Sequence, residues 1–218
     1  GTGDAGTIAH GLNAVPTMIL IKNRDAADSW AVYHAKTTGP TTSATHYLVL
    51  DTSAAKADNA SHWADTATTD SVFTVHDAHN VNADGEKYVA YVFADVEGYS
   101  KMGGYTSNGN VDGAFVNLGF RPAWIMFKQT TSADNSQWFI YDSTRVPFNV
   151  IGDVGLAANL NETEGLSSWG PNTSGAVVDF LSNGFKIRTT ATAGFNVNGG
   201  KMIYMAFAET PFKYANAR

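Results

Sequence analysis

The chain has no cysteine among its 218 residues, which excludes a disulfide framework and every thiolate metal site. Charge is also scarce. Asp, Glu, Lys and Arg make up 16% of the sequence, well under the roughly 25% of an average soluble domain. Long solvated helices lean on Lys/Glu pairs, so the shortage turns expectation toward strands and turns. What charge there is leans acidic, 14 basic against 20 acidic side chains for a formal −6. Nucleic acid, which wants a basic stripe, is therefore not an expected partner. No apolar run approaches the roughly 20 residues that span a bilayer, and Met18-Ile19-Leu20-Ile21 stops at Lys22. No membrane insertion is expected. The sequence opens at Gly1 without a Met or a leader-like apolar segment, and is expected to be part of a longer or processed polypeptide. No G-x-S-x-G, H-E-x-x-H or G-x-x-x-x-G-K-[ST] pattern occurs, so nucleophilic, zinc-peptidase and nucleotide chemistry have no local support.

What the sequence does have is an internal duplication. Val15-Pro16-Thr17-Met18-Ile19-Leu20-Ile21-Lys22 returns as Arg121-Pro122-Ala123-Trp124-Ile125-Met126-Phe127-Lys128, an offset of 106 residues. Trp30-Ala31-Val32-Tyr33 returns as Trp138-Phe139-Ile140-Tyr141, and Val92-Phe93-Ala94-Asp95 as Ala206-Phe207-Ala208-Glu209, by which point the offset has drifted to 114. Blocks kept in order with a slow drift indicate two related units of about a hundred residues. The seam is expected near residues 103 to 107, in the flexible glycine-rich bridge Gly103 to Gly109, giving units 1–105 and 106–218.

Within each unit the apolar segments are short, rich in Val, Ile, Tyr, Phe and Trp, and fenced by Gly, Asn, Asp or Pro, which is the pattern of strands. Strands are predicted near 17–23, 30–35, 46–50, 71–76, 88–95, 114–118, 123–129, 138–142, 176–181, 185–189 and 202–208. The runs around Met18 and Trp124 are apolar at successive positions, so both faces should be covered, as in central strands. The fold expected is all-β: two tandem homologous antiparallel β-sandwich units. Residues 36–70 and 143–176 match least between the units, and long polar loops are where function concentrates.

Several stretches suggest chemistry. Asn80-Val81-Asn82-Ala83-Asp84-Gly85 resembles the first half of a calcium loop, but Tyr91 stands where the closing carboxylate belongs, which favours a tight turn. All six histidines fall in the first unit. His76-Asp77-Ala78-His79 offers two imidazoles and a carboxylate, but an i, i+3 pair converges poorly on extended chain, so polar loop histidines are expected. The segments before Trp30 and Trp138 faintly resemble the Asp-box hairpin of sialidases with too short a spacing, and read as turns ahead of core tryptophans. No metal or other cofactor is expected. Trp63, with His62 and Asp65, and Trp169, with Asn172, lie in the long loops. An indole beside polar groups can stack a sugar's C–H face, so these five are the candidate ligand-binding residues. The competing reading, favoured by the matched spacing of the two tryptophans, is that each caps a core from its loop.

Thr7-Ile8-Ala9-His10-Gly11-Leu12, Pro16 to Arg24, Trp30-Ala31-Val32-Tyr33-His34, Val96-Glu97-Gly98-Tyr99-Ser100-Lys101, Gly119-Phe120-Arg121-Pro122-Ala123, Asp179 to Lys186 and Phe207 to Arg218 together resemble a known module. It is the repeated C-terminal β module of tailed-phage (marine-phage-like) tail fibre and appendage proteins. Thr210 stands where that family often has Asn. The resemblance implies a non-enzymatic virion surface component that contacts a host glycan or protein receptor. It also implies assembly with other virion proteins as a homo-oligomer, a trimer by analogy with fibres. A glycan depolymerase and a bacterial adhesin or sheath subunit stay open as alternatives.

Overall fold

The computed structural model describes residues 1–38, 43–134, 136–145, 149, 155–165, 177–190, 194 and 196–210. Among the described residues 39% are strand and 6% helix, so the protein is predominantly β, and every strand pairing in them is antiparallel. The chain divides into two compact units, Gly1–Asp95 and Val96–Arg218.

The first unit holds β1 (Gly6–Ala9), β2 (Met18–Asn23), β3 (Ala31–His34), β4 (His46–Val49), β5 (Ala57–Asp58), β6 (Val72–Val75) and β7 (Tyr88–Phe93). Two single-turn helices, α1 (Ala60–Trp63) and α2 (His79–Asn82), interrupt the loops. Five strands form one sheet in the order β5-β4-β3-β2-β7, while β1 pairs with β6. The β-branched and aromatic side chains of β2 and β3 explain the sheet's core. Ile19, Ile21, Ala31 and Tyr33 pack with Phe73 and Val75 of the small sheet, and Trp63 and Val81 close the cluster. Helix α1 begins because the Asn59 side chain accepts a hydrogen bond from the Ser61 amide, and stops at Ala64 in the left-handed region, φ 51°.

The second unit holds β8 (Ser100–Thr106), β9 (Phe115–Asn117), β10 (Pro122–Gln129), β11 (Phe139–Asp142), β12 (Leu156–Ala157), β13 (Val178–Leu181), β14 (Gly184–Ile187) and β15 (Lys201–Ala208). Its five-stranded sheet runs β12-β11-β10-β15-β8, and a second sheet runs β13-β14-β9. Phe127 and Phe139 of the first sheet and Phe185 of the second are fully buried in one cluster. Each such side chain contributes roughly 1.5–3 kcal/mol of hydrophobic stabilisation.

The order β4-β3-β2-β7 in one unit is the order β12-β11-β10-β15 in the other, and β1-β6 corresponds to β9-β14. Smaller details repeat too. The Asn82 amide donates to the Asp4 carbonyl at 2.7 Å and the Asn196 amide to the Asn110 carbonyl at 3.0 Å. The Gly85 amide donates to Gly1 O at 3.2 Å, the Gly199 amide to Ser107 O at 2.8 Å. Each predicted strand has an observed counterpart. The strands β1, β5, β8 and β12 and the two helical turns were not predicted. The break between units falls at Asp95/Val96, ten residues before the expected 105/106, because the segment read as a flexible bridge is a strand. Ser100–Thr106 pairs with β15 from Phe207 to Lys201. Gly103 is glycine for space, since a Cβ there would lie 2.3 Å from the Tyr204 hydroxyl.

Candidate functional site

Three of the five candidate ligand residues can be placed. Trp63 is 2% exposed. Its indole N–H donates to the His46 carbonyl at 3.2 Å, and its ring meets Tyr33 edge-on at 5.8 Å. His62 is buried as well and stacks on Tyr47, ring centroids 3.6 Å apart. Burial holds its imidazole down to about 4, so it is neutral at pH 7. These placements correct the reading of Trp63 and His62 as an exposed sugar platform. Helix α1 turns both rings inward, and only Asp65, in a left-handed turn at φ 49°, stays on the surface. Trp169 and Asn172 lie outside the described residues.

A polar cluster that no local motif announces forms elsewhere on the first unit. Asn23 ends β2, Asp28 lies in the turn to β3, His79 opens α2, Glu86 precedes β7 and Tyr88 begins it. Asn23 is buried and organises the group. Its side-chain oxygen accepts from the Asp25 and Ala26 amides at 3.0 and 3.2 Å, which aims its NH₂ at Asp28 Oδ2, 2.7 Å away, and at Glu86 Oε2. Tyr88 donates its hydroxyl proton to the His79 carbonyl at 2.6 Å and accepts from the Ala83 amide at 2.8 Å. The His79 ring stands between the two carboxylates. Its Nδ1 lies 2.6 Å from Asp28 Oδ2 and its Nε2 3.6 Å from Glu86 Oε1.

The electrostatics follow from that placement. The hydrogen bond to Asp28, then the charges of Asp28 and Glu86, raise the His79 pKa above its usual 6.5. The same hydrogen bond lowers Asp28 below the ordinary carboxylate value, against the opposing effect of burial. Burial raises the Tyr88 phenol, with Glu86 adding to it. Asp28, His79 and Glu86 could hold a metal ion. An ion can use one nitrogen of a ring, however, and here each nitrogen faces a different carboxylate at hydrogen-bonding or ion-pair distance. The arrangement fits a protonated imidazole held between two anions, and a metal would have to displace that proton. His76 takes no part and pairs with Asp77 at 3.0 Å, so the i, i+3 imidazoles do not converge.

Among the described residues this cluster occurs in the first unit alone. Gln129, Gly200 and Met202 occupy the places of Asn23, Glu86 and Tyr88. One family description nevertheless matches residues 1–211, through both units. The chain belongs to the family described as Domain of unknown function (DUF7483). No curated protein and no solved structure matches it. Asp28, His79 and Glu86 are 51 and 7 residues apart along the chain. The sequence signals for them are His79 in the His76-Asp77-Ala78-His79 stretch and the departure of the first unit from the second at Glu86 and Tyr88.

Proposed function

We propose that the chain is a non-enzymatic surface module of a tailed-phage fibre or virion appendage, built as two tandem homologous β-sandwich units and working as a homotrimer on the virion. In this reading the first unit makes host-surface contact through Asp28, His79 and Glu86. The class comes from the whole-chain resemblance. The observation that carries the site is the divergence of the units: they share strand order and anchoring bonds, yet one has gained a half-exposed pair of carboxylates around an imidazole. The acidity is unequal in the same sense, with residues 1–105 at a net −6 and 106–218 at zero. Fixed carboxylates accept hydrogen bonds from hydroxyl groups, and an acidic unit repels anionic polymers, so a neutral glycan suits it.

The test is binding of the labelled chain to a panel of neutral and anionic bacterial surface glycans, for the native protein and for Asp28→Asn with Glu86→Gln. The expected result is binding to neutral glycans that the double variant loses by at least about tenfold, the scale of one or two charge-assisted hydrogen bonds. Equal binding by both proteins refutes the site. New reducing ends on any glycan would replace the binding module with a depolymerase.

A further inference from the structure

The two units also differ in the edge of their larger sheet. In the second unit β15 has β10 on one side and β8 on the other, and Met202 to Ala206 are buried. In the first unit the counterpart strand β7 has β2 on one side, and among the described residues no strand lies on the other. Its side chains are half-buried to exposed, Tyr91 being 49% exposed. The Arg24 amide bonds to the Lys87 carbonyl, so antiparallel alternation turns the backbone N–H and C=O of Tyr88, Ala90 and Val92 to that open edge. A bare edge of this kind is a template for another strand.

Beneath the edge is a cavity of about 510 Å³ whose apolar wall includes Ile8, Ile21, Phe73, Val75, Tyr88 and Ala90. The second unit shows what belongs there. Tyr105 of β8 packs edge-on against Phe185 at 5.9 Å, and Phe185 meets Tyr204 at 5.4 Å. Phe73 corresponds to Phe185 and Ala90 to Tyr204, so the first unit keeps the receiving ring and lacks both of the rings that cover it. The direction of entry is also built. The Ser107 amide donates to Gly200 O at 2.9 Å immediately after β8 ends, and the Gly1 nitrogen makes the corresponding bond to the Glu86 carbonyl.

We propose that the open edge of β7 and the cavity beneath it form a strand-acceptor site. It takes a seven-residue extended segment of the β8 kind, antiparallel to β7 and joined to the Gly1 nitrogen, with an aromatic side chain at its sixth position filling the cavity. The proposal does not depend on the glycan reading above. It is tested by extending the chain at Gly1 with a second copy of the Val96–Thr106 sequence and measuring amide hydrogen exchange. The expected result is exchange at Tyr88, Ala90 and Val92 slowed at least about tenfold, as for edge amides taken into a ladder, with a higher melting temperature. Replacing the repeat of Tyr105 in the added segment by alanine should remove most of the thermal gain. Putting proline at the repeats of Lys101 and Gly103 should abolish the protection. Equal exchange at those three amides with the native and proline extensions overturns the proposal. Protection by the free peptide at micromolar concentration, matching that of the extension, overturns the route through Gly1.

Discussion

Lys128 provides a quantitative test of how the second unit is assembled. It sits in β10 at the centre of the five-stranded sheet, 0% exposed, with its ammonium donating to the Gln129 carbonyl at 2.6 Å. Burial lowers its pKa from 10.5 to about 7, because a charged amine is costly away from water. The unfolded chain therefore binds a proton that the folded one gives up, and stability must rise with pH between about 7 and 10.5. The slope is about 1.4 kcal/mol per pH unit, so the gain from pH 7.5 to 9.5 is about 3 kcal/mol and the whole span is worth about 5 kcal/mol. Lys128→Met keeps the stem's packing and removes the titration. Hydrogen exchange of β10 and β15 peptides across a urea series reads this unit directly. The native chain should gain about 3 kcal/mol between the two pH values and Lys128→Met should gain little, leaving the variant the more stable at pH 7.5. Equal slopes in the two proteins would refute the reasoning.

Trp63→Ala should cost about 3–5 kcal/mol, as for other buried indoles, while Asp65→Ala, at a surface position in the left-handed region, costs no more than about 1 kcal/mol; urea unfolding of the full chain separates them. In proton NMR, His79 should titrate above 6.5 and His62 near 4, and Asp28→Asn should bring His79 back toward 6.5 without moving His62. The His79–Asp28 pair should support the fold fully below pH 6.5 and lose that support as pH rises through the raised His79 midpoint. Asp28, lowered, contributes above its ordinary 3.8 and loses that contribution as acid carries pH down through its folded midpoint. Gly184→Ala should destabilise the second unit by at least the roughly 1–3 kcal/mol of a core overpacking, since a Cβ there would lie 1.9 Å from the Val116 carbonyl oxygen; a melting temperature equal to that of the native chain would contradict the β9-β14 register.

The parts of the fold that were legible in the sequence are those where a short apolar run meets a turn residue. Met18 to Asn23 and Pro122 to Gln129 carry enough Ile, Met and Phe to be strands by local pattern alone, and the repeated sequence block pairs one with the other. Strand β8 was hidden because Gly103 and Gly104 have the local signature of a hinge. What makes Gly103 part of a strand is Tyr204, a hundred residues away, whose ring occupies the space a side chain would need. The same limit governs the site. Trp63 and His62 looked exposed because their neighbours Ser61 and Asp65 are polar, yet a single helical turn capped by Asn59 points both rings at Tyr33 and Tyr47. Asp28 and Glu86 are unremarkable in their own stretches, and the local pattern around His79 pointed to His76 and Asp77 instead of to them. Asn23 brings them together by spending its oxygen on two backbone amides and its nitrogen on both carboxylates, a role that the residue's identity permits and only the folded sheet assigns. Duplication then becomes more than a fold signal. With the second unit as an internal reference, the positions where the first departs from it, Glu86, Tyr88 and Ala90, are the ones that line its polar cluster and its open edge.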